Sequence, residues 1–173
     1  KKNDKNGGPW GAMATNLTLG KWHLQASGKG IPIAEYNMIN KAQNYSSSTR
    51  WLIMIDTYNC VLGVFYGSYK NWSLQYYWDC SPGKSSTPTV LGTFTVTGKG
   101  YSFTIDGTLC YYYTQFYGNY LIHSTTYYLD GSVQDTRLGK NLSHGCVRLS
   151  TSNAKWIYNN IPYGTKVVTY RGS

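Results

Sequence analysis

Charge is what this sequence has least of. Asp, Glu, Lys and Arg make up 13% of its 173 residues, about half the usual share of roughly 25%. Its polar surface must therefore come from Ser, Thr, Asn, Gly and Tyr. Eighteen tyrosines among so many uncharged polar residues favour an extracellular β-rich protein over a cytosolic helical one. No apolar run of about 18 residues occurs, so no membrane span is expected. A secretory apolar region is missing too. The chain begins at Lys1 without Met, which fits removal of a signal or anchor, and Gly11-Ala12-Met13-Ala14 and Gly172-Ser173 resemble cloning remnants. There is no internal repeat and no second core pattern, so one domain is expected.

Basic residues outnumber acidic ones and the net charge is +9. Residues 1–30 hold five lysines and one aspartate, and the other basic residues are spread thinly. A nucleic-acid binder clusters its basic residues into a stripe, and that class is set aside. Attraction to a polyanionic surface, such as an anionic cell wall, fits better; the plain alternative is that the charge only aids solubility.

Cysteine is sparse as well, with Cys60, Cys80, Cys110 and Cys146. Two bridges would use all four. If Cys146 is a reactive thiol, an odd three remain, which favours three buried free thiols over a single bridge among them.

Residues 1–35 read as a flexible basic arm and residues 36–171 as the domain. Met38 to Ala42 supports one helical turn. Strands are expected at Trp51–Ile55 and Val61–Tyr66, joined through Tyr58-Asn59-Cys60 as a hairpin. Further strands are expected at 72–78, 90–96, 109–116, 119–123 and 165–170. The one convincing helix is Thr151–Ile161, capped by Ser150 or Thr151, with Ala154, Ile157, Tyr158 and Ile161 as its apolar stripe.

The chemistry concentrates in Ser143-His144-Gly145-Cys146-Val147-Arg148, with His123 closing the apolar strand Tyr120-Leu121-Ile122 upstream. Cysteine attacks as the thiolate, which is scarce at neutral pH unless a neighbour stabilises it. An imidazole in hydrogen-bond reach can take the thiol proton. Glycine lets the backbone turn closely around the sulfur and leaves N–H groups free for an oxyanion. A lone histidine ending a strand is more often a core residue satisfied by a carbonyl; the downstream His-Gly-Cys weakens that alternative.

This ordered set resembles the L,D-transpeptidase catalytic domain, the YkuD-like family. The resemblance rests on His123, then Ser143, His144, Gly145, Cys146, Val147 and Arg148. Thr87-Pro88-Thr89 with Gly92-Thr93-Phe94, Arg137-Leu138-Gly139 and Ser152-Asn153-Ala154 add to it. It covers roughly Tyr36 to Tyr170. Arg148 stands where some members have Asn. The resemblance implies a mainly-β sandwich or barrel with one principal C-terminal helix. It implies Cys146 as nucleophile, His123 as base, the Ser124 carbonyl orienting the ring, and the Gly145 and Cys146 N–H groups as oxyanion hole. His144 is expected to shape the loop or touch substrate. Arg148 is expected to grip a stem-peptide carboxylate or to form a structural ion pair. Tyr112 is expected to line the cleft, with core packing as its alternative. The implied reaction is acyl transfer between peptidoglycan stem peptides, without metal or cofactor, at an extracytoplasmic site, and a carbapenem would acylate the same thiol. A monomer is the default expectation.

Two other classes compete. A zinc hydrolase would use His123, His144 and Cys146 as ligands, but no fourth ligand or acid–base carboxylate is evident. A non-enzymatic wall- or glycan-binding module would use the Tyr and Trp content for sugar stacking, and it leaves the His-Gly-Cys setting unexplained.

Overall fold

In the computed structural model, the described residues are the backbone of Thr18–Leu19 and Trp22–Leu24 and all of 30–173. The chain divides into two units, Lys1–Lys41 and Ala42–Ser173. The division falls after Lys41, where residue 35 was expected to end the arm. In the first unit, β1 (Thr18–Leu19), β2 (Trp22–Leu24) and β3 (Gly30–Pro32) form an antiparallel sheet. This sheet stands where an unpatterned arm was expected. It leads into α1 (Ile33–Ala42), a full helix rather than one turn. Pro32 precedes its first residue, Glu35 lies in the first turn and Lys41 in the last, as the helix dipole favours. Two asparagines, weak helix formers, hid it from the sequence pattern.

The second unit carries β4 (Trp51–Asp56), β5 (Val61–Tyr66), β6 (Ser73–Asp79), β7 (Gly92–Thr95), β8 (Gly98–Ile105), β9 (Thr108–Tyr117), β10 (Tyr120–Ser124), β11 (Thr126–Tyr128), β12 (Val133–Asp135), β13 (Val147–Leu149), α2 (Thr151–Asn160) and β14 (Lys166–Tyr170). One sheet has the order β6-β5-β4-β14-β7; the other runs β12-β11-β9-β10-β13, with β8 on β9. Fold class is therefore mainly β with a principal C-terminal helix, as expected. Ile53, Ile55, Leu62, Val64 and Val167 from the first sheet meet Phe116, Ile122, Val147 and Leu149 from the second. Ala154, Ile157 and Ile161 from the α2 segment join the same core. Each such side chain, fully buried, contributes roughly 1.5–3 kcal/mol, alanine less. Ser150 caps α2 by accepting the Asn153 N–H at 3.2 Å. Cys60, Cys80 and Cys110 are buried free thiols and Cys146 is half-buried.

Strand β8 was not foreseen, because it opens Gly98-Lys99-Gly100 and glycine disfavours strands. Close approach requires those glycines. A Cβ on Gly98 would lie 2.5 Å from the Gln115 side chain, and one on Gly100 would lie 2.1 Å from the Tyr113 ring. No helix among the described residues is long and apolar enough to cross a membrane.

Candidate active site

A parallel pairing joins the two halves of the motif. β10 aligns with β13 so that Ile122 faces Val147, His123 faces Arg148 and Ser124 faces Leu149. Side chains alternate across a strand. Ile122, Val147 and Leu149 therefore enter the core, fully buried. Leu121, His123, Cys146 and Arg148 take the opposite face and line one cleft of about 750 Å³. Extending the register by one residue sets Cys146 beside Leu121. With strands ~4.8 Å apart and ~3.3 Å per residue, the Cys146 and His123 Cα atoms lie roughly 8 Å apart.

His123 is 5% exposed, and its Nδ1 lies 2.6 Å from the Ser124 carbonyl oxygen. A carbonyl only accepts, so Nδ1 carries the proton and Nε2 keeps a lone pair. Burial pushes the imidazole down to about 4; the Ser124 carbonyl opposes this and the Arg148 charge adds to it. The ring is neutral at pH 7 and ready to accept a proton. Ser124 also braces the sheet: its hydroxyl accepts the Tyr111 N–H at 2.8 Å and donates to the Thr125 carbonyl at 2.6 Å.

A buried neutral histidine makes stability depend on pH. The unfolded chain takes up its proton near pH 6.5, the folded one only near 4. Between those values the unfolded state holds more protons, so stability falls as pH falls, by up to about 1.4 kcal/mol per pH unit. Urea unfolding followed from pH 7 to 4.5 should show this decline, and His123→Gln should flatten it. An unchanged slope in the variant would assign the acid loss to other groups.

The Cys146 thiol sits against the β9–β10 turn, which sequence reasoning did not connect to it. Its Sγ lies 3.5 Å from the Asn119 carbonyl oxygen and accepts the Leu121 N–H. That N–H is available because the β9–β10 register slips between Tyr120 and Leu121. Burial raises the thiol pKa above its ordinary value, while the Leu121 N–H and Arg148 favour the thiolate. Resting thiol and resting imidazole are both neutral, so proton transfer accompanies attack rather than preceding it.

The loop holding Cys146 is pinned by the 83–89 segment. Lys84 N–H and Thr87 Oγ1 donate to the Ser143 carbonyl at 2.9 and 3.1 Å. Thr89 Oγ1 donates to the Gly145 carbonyl at 2.7 Å and accepts the Gly83 N–H at 2.9 Å. Ser143 Oγ accepts the Gly145 N–H at 3.0 Å and donates to the Cys146 carbonyl. This corrects one expectation: the Gly145 N–H is spent on Ser143 and is not turned to the cleft as an oxyanion donor. Gly145 has φ +131°, a conformation other residues rarely adopt.

Arg148 lines the cleft with its side chain 14% exposed, and its Nη1 is 3.8 Å from Asp135 Oδ2. Asp135 is occupied by Arg137 through contacts of 3.0 and 2.8 Å, which hold the carboxyl down at about 2. The buried Arg148 Nε has no hydrogen-bond partner, so the ion-pair alternative is loosely made. His144 lines the cleft and is exposed. Tyr112 does not line it; the ring packs on the core and against Tyr101 and Tyr158. Tyr112 has φ +54°, and the alternation of β9 changes phase there. Thr108 and Cys110 line the cleft before it, Tyr113 and Gln115 after it. Among the described residues no three His, Cys, Asp or Glu side chains group as metal ligands.

The L,D-transpeptidase catalytic domain, YkuD, matches residues 50–169. The chain belongs to this family. A Bacillus subtilis (strain 168) protein, YciB, provisionally named an L,D-transpeptidase, is 47% identical over 55 residues, 30% of this chain and 28% of that protein. A solved Clostridium acetobutylicum ATCC 824 protein is described as a fused Zn-dependent amidase/peptidase/peptidoglycan-binding domain-containing protein. It is 40% identical with a TM-score of 0.66, over 80% of this chain and 59% of its own. An L,D-transpeptidase from Mycobacterium smegmatis shares the fold at TM-score 0.58 and 23% identity, over 70% of this chain and 58% of its own. The chain thus spans less than two thirds of the length of each of these relatives.

Proposed function

We propose that this L,D-transpeptidase domain forms 3→3 cross-links between peptidoglycan stem peptides through a thioester on Cys146, outside the cytoplasm. The observation that carries it is the single cleft face shared by Cys146 and His123, with Nδ1 of the ring tied to the Ser124 carbonyl. Nε2 takes the Cys146 proton as sulfur attacks the carbonyl of the third residue of a tetrapeptide stem. The Cys146 N–H remains as an oxyanion donor, and one such donor is typically worth ~3 kcal/mol. Collapse expels the terminal D-Ala, whose amine takes the proton back from His123. The side-chain amine of a second stem then gives a proton to Nε2 and attacks the thioester, forming the cross-link and releasing the thiol. The uncommitted Arg148 guanidinium suits a donor-stem carboxylate, and exposed His144 suits a secondary substrate contact. The basic residues favour retention on an anionic wall.

The test is incubation with a tetrapeptide stem, followed by mass spectrometry of protein and products. An acyl adduct on Cys146, free D-Ala and a cross-linked dimer are expected. Adduct and D-Ala with tripeptide in place of dimer would make the domain an L,D-carboxypeptidase. Wall binding with no adduct and no D-Ala would leave a binding module and end the proposal.

A further inference from the structure

A hydrogen bond fixes one point of a ring and leaves its plane free. The bond from Nδ1 to the Ser124 carbonyl does no more than that for His123. A second contact comes from β8, two strands away. Phe103 meets the imidazole edge-to-face, with centroids 5.2 Å apart and planes at 80°. Such a contact is directional, because the positive edge of one ring seeks the negative face of the other.

Phe103 is itself braced. Tyr113 on β9 meets it at 5.5 Å and 89°. The Tyr113 ring fills the space over Gly100, within 2.1 Å of where a Cβ would stand. A chain of contacts therefore runs from Gly100 through Tyr113 and Phe103 to His123, across β8, β9 and β10. Phe103 lines the same cleft as Cys146. In its sheet, β8 pairs only with β9, so this ring is carried on an edge.

We infer that Phe103 is a positioning residue: its ring sets the plane of the His123 imidazole, with Nε2 turned away from Ser124, and keeps water off that face. The inference rests on His123 being the base of the proposed transpeptidation. The ring's low affinity for a proton fits a water-excluding neighbour. The other groups around it are Arg148 opposite it on β13, Cys146 just before that strand, Cys110 and Tyr113 on β9, Asp135 on β12 beside Arg148, exposed His144, and Asp106 at the β8–β9 turn. None of these places a ring against the imidazole face as Phe103 does.

The experiment pairs an NMR titration of the His123 ring with the pH profile of kcat/KM in the wild type, Phe103→Ala, Phe103→Leu and Phe103→Tyr. His123→Gln identifies the His123 signal among the three histidines. In Phe103→Ala the His123 midpoint should rise from its depressed value toward about 6.5, and the acid limb of kcat/KM should rise with it. At neutral pH kcat should fall on the order of 10²-fold with KM changed far less. Phe103→Tyr should restore both midpoint and rate. Phe103→Leu keeps apolar bulk without a ring edge, and should restore the midpoint more than the rate; it stands in if the alanine variant does not fold. A folded Phe103→Ala or Phe103→Leu protein with unmoved midpoint and unreduced kcat would overturn the inference. The titration needs no turnover, so a shifted midpoint in a protein inactive on stem peptides would sink the proposed reaction and leave the contact standing.

Discussion

Cys146→Ala is expected to lose turnover on stem peptides by on the order of 10⁴-fold or more, and to form no acyl adduct at all. The electron pair that makes the acyl bond belongs to this sulfur, and removing a nucleophile leaves only binding and oxyanion stabilisation. The neighbouring thiol does not substitute. Cys110 lies in the same cleft, but burial pushes it up to about 12, so almost none is thiolate at neutral pH. Stability should barely change, because Cys146 is half-buried and its sulfur meets only the Asn119 carbonyl and the Leu121 N–H among the described hydrogen-bonding groups. D-Ala release measured by mass spectrometry, with thermal unfolding beside it, separates the two effects. A folded variant that keeps releasing D-Ala would remove Cys146 from the mechanism, and a carbapenem adduct mapping to Cys110 would say where the nucleophile lies.

The parts of this site legible in the sequence are those whose chemistry is local. Ser143 to Arg148 announces a reactive thiol because Gly and His flank it, and His123 stands out as a histidine ending an apolar strand. The paired strands Trp51–Asp56 and Val61–Tyr66 and the helix Thr151–Asn160 follow from apolar runs, a turn and a hydroxyl cap. What escaped depends on contacts between distant segments. Asn119 and Leu121 hold the sulfur through backbone atoms, and a backbone carbonyl leaves no mark on residue type. Thr89 reads as a turn residue until its hydroxyl is seen to span Gly83 and Gly145. Tyr112 was placed in the cleft on aromatic character; one left-handed residue reverses the alternation of β9 and sends Tyr113 there instead. Gly98 and Gly100 argued against a strand, yet the partner side chains lying across them require their small size.

Gly145→Ala is expected to cost nearly as much activity as loss of the nucleophile, although it deletes no reacting atom. At φ +131° an alanine is strained, and its Cβ would meet the Tyr120 ring at 3.0 Å. A residue held in such a region costs about 1–3 kcal/mol. The loop relieves that strain by rotating, and every bond near Gly145 resists. Its N–H is held by Ser143, its carbonyl by Thr89, and the Cys146 carbonyl by Ser143 again. Rotation therefore carries the sulfur away from the Leu121 N–H, and a shift near 1 Å is enough for on the order of 10²-fold loss of rate. Weakened loop bonds add to this, so a loss of roughly 10²- to 10³-fold in kcat/KM is expected, with a fall in Tm of about 3–10 °C. Tyr120→Leu in the same background should remove the steric share and leave the backbone share, so partial recovery of rate apportions the two. Full activity in Gly145→Ala would mean that the turn tolerates a side chain, and that its geometry does not place the sulfur.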